Sequence, residues 1–211
     1  MTPDKQTIAI PDGFAKNTAI REGDAGQDWL DALPRTIEEV CRRWRLVING
    51  TVMHGYTGLA IPVQRGKESC ILKVYWKNRD TECAHTALKV WNGRGAVKLL
   101  DEEPSLGVVL LERLNPVRSL NRVGIGEAVI VAGKLLRRLA IPAPEHIRSL
   151  TVLAPEMIQC MRKRWAEYGQ PFPRCLLDRV CEETAELGLV SGKLMTDYDL
   201  HYLDVLTGQR E

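Results

Sequence analysis

A change of hydrophobic period part-way along the chain restricts its fold more than any other feature. Residues 47–63 and 69–76 are enriched in Val, Ile, Leu, Thr and Tyr and are separated by Arg65-Gly66-Lys67-Glu68, the pattern of antiparallel strands joined by a turn. Residues 80–91 switch to helical spacing through Cys83, Ala84, Ala87, Leu88 and Trp91, and Asn92-Gly93-Arg94-Gly95 supplies the stop. Two further strands are predicted at 96–100 and 107–114, around the charged turn Asp101-Glu102-Glu103-Pro104. Beyond Asn115 the strands end and helical patterns take over, at 126–139, around Ile158, Met161, Trp165 and Tyr168, and at 174–187. The expectation is an α+β fold: a five-stranded antiparallel sheet with one intervening helix, then a helical half.

The flanks are less periodic. Residues 1–28, rich in Gly, Asp, Asn and Thr, are predicted to be a loose leader. Leu30, Leu33, Ile37, Val40, Cys41 and Trp44 then mark one or two helices, with Pro34 as a local break. Pro62 lacks an N–H, so its strand is expected at a sheet edge, or its ring nitrogen is expected to face away from a neighbour. The 211 residues suit one domain of two lobes, with a leader at 1–28, a sheet lobe at 29–115 and a helical lobe at 116–211.

Composition excludes several classes. With 45% hydrophobic and 27% charged residues the chain has ordinary globular usage, which argues against disorder and rod-like folds. The 29 Lys+Arg against 27 Asp+Glu leave a charge of +2, too balanced for a nucleic-acid binder. No run approaches the roughly 20 apolar residues of a membrane span and the start does not read as a signal, so no membrane partner and a cytoplasmic address are expected. Cys41, Cys70, Cys83, Cys160, Cys175 and Cys181 follow no metal spacing and are read as reduced thiols.

Chemistry concentrates at His54-Gly55-Tyr56-Thr57-Gly58, between two strands, and one strand later at Ile71-Leu72-Lys73-Val74. Glycines let a turn close over phosphate oxygens, and a lysine in an apolar strand can present its ammonium to them. Taken alone, the same residues also suit a plain hairpin and a solvated strand lysine.

The full order of segments resembles the aminoglycoside and hydroxyurea phosphotransferase family, in particular its streptomycin 6-phosphotransferase-like members, which have a protein-kinase-like two-lobed fold. The stretches that carry the likeness are MHGYTGLAIPV, ILKVYW, WNGRGAVKLLDEEPSLGVVLLERL, LLRRLAIPAP and YDLHYLDVL. The resemblance implies ATP and Mg2+ as cofactors and an aminoglycoside or hydroxyurea as the small-molecule acceptor. It gives Lys73 to the ATP phosphates, with the loop of His54, Gly55, Tyr56, Thr57 and Gly58 over them. The backbone of Glu112, Arg113 and Leu114 becomes the adenine hinge, Asp199 the catalytic base and Asp204 a metal ligand.

The chain departs from the family pattern at Asp197-Tyr198, where His-Gly is usual, and at Asp204, where asparagine is usual. Ala84 stands near the expected glutamate partner of the lysine, with Glu82 the nearest acid. The chain stops at Glu211, before the family's Ile-Asp-Pro segment, so the expectation is a truncated member. Two functions are then expected to compete: a phosphotransferase, or a catalytically dead remnant that keeps a pseudokinase-like nucleotide-binding module. Apolar surface near the C-terminus is further expected to favour self-association.

Overall fold

The computed structural model describes residues 8–78, 81, 83–145, 147–190, 192–195, 200–201 and 205–207, without the side chains of 116–118. Its first element corrects the expectation of a loose leader: helix α1 runs Asp12–Trp44, and Phe14, Thr18 and Gly26 are already buried within it. What hides the period is Gly23, whose φ of 62° and ψ of −143° interrupt the helix, a conformation glycine reaches at little cost. The chain turns back on itself there, and a Cβ on Gly26 would lie 2.9 Å from the Thr18 carbonyl oxygen. Helix α1 continues through Pro34 and ends where Arg45 turns left-handed.

The strands are β1 (Leu46–Ile48), β2 (Met53–His54), β3 (Gly58–Arg65), β4 (Glu68–Tyr75), β5 (Leu99–Glu103) and β6 (Val108–Glu112). They form one antiparallel sheet in the order β1-β3-β4-β6-β5, with β2 also on β3. The expected first strand is thus divided, and β1 and β2 lie end to end on the same edge of β3. Pro62 explains the break. β3 is not an edge strand, but Pro62 sits between the segments that pair with β1 and β2. Its carbonyl accepts the Asn49 N–H at 3.0 Å, so its N–H-less nitrogen faces the gap.

The charged stretch at 101–103 is strand rather than turn. The reversal is made by a short 3-10 turn at Pro104–Leu106. Each acid finds a cation from another element: Asp101 pairs with Arg65 at 3.5 Å, Glu103 with Arg43 at 2.8 Å, and Glu102 with Lys89. An edge strand can carry such a row because one flank stays open to solvent.

One sheet face packs on α1. Leu59, Ile61, Leu72, Val74 and Leu110 meet Leu33, Ile37 and Val40, and all are at most 1% exposed. The other face is smaller, with buried Tyr75, Val109 and Leu111 packed against Leu88 of helix α2 (Ala84–Trp91). Strands do not end at Asn115 as expected. β7 (Asn115–Ser119) pairs with β8 (Leu206–Thr207) in a second, two-stranded sheet.

Helices α3 (Ile125–Leu139), α4 (Leu150–Glu167) and α5 (Arg174–Leu189) fall close to the predicted spans. The chain divides into a unit of Met1–Leu135 with Asp199–Glu211 and a unit of Leu136–Tyr198. In the latter, α4 and α5 pack closely enough that a Cβ on Gly188 would lie 2.7 Å from the Ala154 Cβ, and the Thr151 hydroxyl donates to the Gly188 carbonyl at 2.9 Å. No helix among the described residues is long and apolar enough to cross a membrane.

Thr18 is fully buried and its hydroxyl has no hydrogen-bond partner among the described residues. An unpaired buried hydroxyl carries its desolvation cost without return. Thr18→Val is therefore expected to stabilise the protein by about 1 kcal/mol, seen as a higher urea midpoint at unchanged slope. A lower midpoint would show that the hydroxyl has a role.

Candidate nucleotide site

The hairpin at residues 53–58 is closed by its own backbone. The Gly55 N–H donates to the Gly58 carbonyl at 2.9 Å, and the Trp76 N–H to the Thr57 carbonyl at 2.8 Å. Gly58 is forced by close approach, since a Cβ there would stand 2.5 Å from the Val74 carbonyl oxygen. Gly55 is different: an added Cβ would meet nothing within 4 Å, so packing does not demand glycine and the space beside it is open. Tyr56 projects outward at 75% exposure.

Cross-strand register sorts the remaining residues onto two faces, because directly paired residues share one. His54, Leu59, Val74, Val108 and Glu103 form a row on the α1 side. The His54 ring accordingly rests against Phe14, with centroids 5.7 Å apart. Met53, Ala60, Lys73, Val109 and Glu102 form the neighbouring row on the opposite face. Lys73 therefore shares its face with Met53 at the foot of the hairpin and not with His54. It is exposed, and its ammonium has no ion pair or hydrogen bond among the described residues.

Glu102, at the far end of that row, is a residue that reading the sequence overlooked. Its carboxylate pairs with Lys89 of α2, and its Oε2 is buried without a hydrogen-bond partner. Burial first, and the Glu102 charge second, push the Tyr75 phenol above its ordinary range. Only strand register brings Glu102 onto the face of Lys73, so no local motif could have revealed it. The first turn of α2 contains no acid, and Glu82 lies outside the described residues.

The segment leaving β6 is fastened by the side chains of Glu112 and Arg113. Glu112 accepts the Lys98 N–H on Oε1 at 2.7 Å and returns its own N–H to the Lys98 carbonyl at 3.0 Å. Arg113 reaches Asn49 Oδ1 at 3.3 Å. Asp199 and Asp204 lie outside the described residues. The strand β8, which begins two residues after Asp204, pairs with β7 directly beyond Leu114, and the Leu120 N–H donates to the Val205 carbonyl at 3.3 Å. No group of three or more potential metal-ligating side chains occurs among the described residues.

The sequence matches known proteins along most of its length. A family model described as aminoglycoside/hydroxyurea antibiotic resistance kinase matches residues 43–198. The chain belongs to this family. Streptomycin 6-kinase of Streptomyces glaucescens is 36% identical over 207 residues, covering 97% of this chain and 67% of that protein. Streptomycin 6-kinase of Streptomyces griseus is 33% identical with the same coverage. Hydroxyurea phosphotransferase of Kitasatospora aureofaciens is 33% identical over 195 residues, covering 90% of this chain and 57% of that protein.

In this kinase-family chain the six cysteines are free thiols, in line with their reading as reduced. Burial pushes Cys41 up to about 11 and also raises Cys70, where Glu68 adds to the effect. A raised thiol stays protonated and unreactive at pH 8. Iodoacetamide at that pH is expected to label exposed Cys160 and Cys175 first, with Cys41 and Cys70 protected until unfolding. Peptide mass mapping over time checks the order, and early labelling of Cys41 would contradict it.

Proposed function

We propose that this chain is an ATP-dependent phosphotransferase of the cytoplasm that modifies a hydroxyl of an aminoglycoside of the streptomycin type, with hydroxyurea as the other acceptor to test. One observation carries the reading. Within one unit, a strand lysine whose ammonium has no partner among the described residues, a hairpin with open space at Gly55, the segment at 112–114 fastened by Glu112 and the strand that follows 197–204 occur together. These residues suit a nucleotide: an unpaired ammonium and an open glycine turn match phosphate. The names of the relatives favour an active transferase over an inactive remnant.

When bound, ATP supplies the transferable phosphoryl group and Mg2+ neutralises charge on it. Lys73 would hold the phosphates, and the turn formed by Gly55, Tyr56, Thr57 and Gly58 would cover them. His54, whose ring is committed to Phe14, would serve by orienting the turn. Arg113 and Leu114 would take the adenine edge on their main chain, with Glu112 anchoring that segment to β5. Asp199 would accept the proton of the acceptor hydroxyl and orient its oxygen, and Asp204 would provide an oxygen ligand for the metal.

Lys73→Ala is expected to weaken binding of a fluorescent ATP analogue by about tenfold or more while leaving the melting temperature nearly unchanged, because the side chain is exposed. Asp199→Asn is expected to lower transfer of label from γ-labelled ATP to streptomycin by about 10²–10⁴-fold. The same assay with hydroxyurea decides the acceptor. Label on neither compound, or nucleotide binding indifferent to Lys73, would count against the reading.

A further inference from the structure

The first turn of structure in this chain is used on the nucleotide hairpin. Residues 12–22 of α1, turned back at Gly23, reach residues 53–58 at two points. Phe14 stacks against His54, and Arg21 does two things at once: its Nη1 donates to the Tyr56 carbonyl at 2.9 Å, and its guanidinium carbon lies 4.5 Å from the centre of the Tyr56 ring. Glu22 holds the Nε of the same guanidinium. A third link comes through Trp29, whose ring meets Trp76 at 5.5 Å, the residue whose N–H holds the Thr57 carbonyl.

This arrangement carries costs that stability alone does not explain. The Arg21 Nη2 is buried with no hydrogen-bond partner among the described residues, and so is the hydroxyl of Thr18 one turn earlier. Leaving a cationic donor unpaired away from water is unfavourable. An arginine on the outer side of the helix would avoid it. What the placement achieves is to fix Tyr56, at the tip of the hairpin, which the bonds from Gly55 to Gly58 and from Trp76 to Thr57 do not hold.

We propose that Arg21 is a positioning residue for nucleotide binding, and that the arm at residues 12–22 holds the hairpin at residues 53–58 in its phosphate-ready pose. The inference rests on the reading of that hairpin as the phosphate loop. Preorganisation lowers the ordering cost of binding, so loss of the clamp acts on nucleotide affinity while the core under α1 stays intact.

Two measurements on the full chain test this. First, hydrogen exchange of the nucleotide-free protein reads the clamp itself: in Arg21→Ala the amides of residues 55–57 are expected to exchange several-fold faster than in wild type, with the β3 and β4 amides unchanged. Second, affinity for a fluorescent ATP analogue is expected to fall about tenfold, the size of one lost charge-assisted hydrogen bond to an ordered loop. Arg21→Lys, which keeps the cation but not the planar fork that donates and stacks at once, is expected to recover only part of the lost affinity. If Arg21→Ala does not fold, Arg21→Gln takes its place in both measurements. Hairpin exchange and affinity equal to wild type in a folded variant would overturn the clamp. An analogue that binds equally well to Lys73→Ala would instead overturn the site reading, and the exchange experiment would still decide the clamp on its own.

Discussion

Burial of one sheet face under α1 is the interaction on which the rest of the first unit depends. Leu33, Ile37 and Val40 of the helix close over Leu59, Leu72 and Leu110, and each such side chain contributes roughly 1.5–3 kcal/mol when fully buried. Half a dozen of them match the whole net stability of an ordinary domain, about 5–15 kcal/mol. The same helix also ties down both ends of a single cross-strand row, through Phe14 on His54 and Arg43 on Glu103. The hairpin and the edge strand are thereby both tied to α1, one on each side of its turn at Gly23.

Much of this was legible in the sequence wherever periodicity is local. β3, β4 and the three later helices could be placed because alternation or helical spacing runs unbroken through them, and the likeness to a kinase family followed from contiguous segments. Three things were not legible. The leader concealed a helix because Gly23 resets the phase between Phe14 and Trp29, so neither half shows a long period. The acids at 101–103 suggested a turn, and only Arg43, Arg65 and Lys89, each from another element, make them acceptable in a strand. β7 and β8 are short and lie far apart in the chain, and their pairing has no local signature.

The candidate site divides in the same way. Lys73, the hairpin glycines and the segment at 112–114 are recognisable by type and order, and they carry the proposed chemistry. Alternation then separates residues that sequence proximity had grouped. His54 belongs to the face of α1, whereas Lys73 belongs to the face of α2, together with Glu102. A residue one position along a strand changes sides, so membership of a motif says little about which neighbours a side chain meets.

The break at residues 49–52 has a consequence for how this site tolerates change of length. β1 and β2 lean on the same edge of β3 but are joined by residues outside either strand, with Gly50 seated against the Pro62 ring. An inserted or deleted residue there is taken up by the gap, and β2 keeps its phase and its partner. The same change inside β4 has no such refuge. It would exchange the faces of every residue beyond it, turning Lys73 into the apolar interior and Leu72 out of it. Length can therefore vary before the hairpin, but not within β4, without moving the lysine off its face.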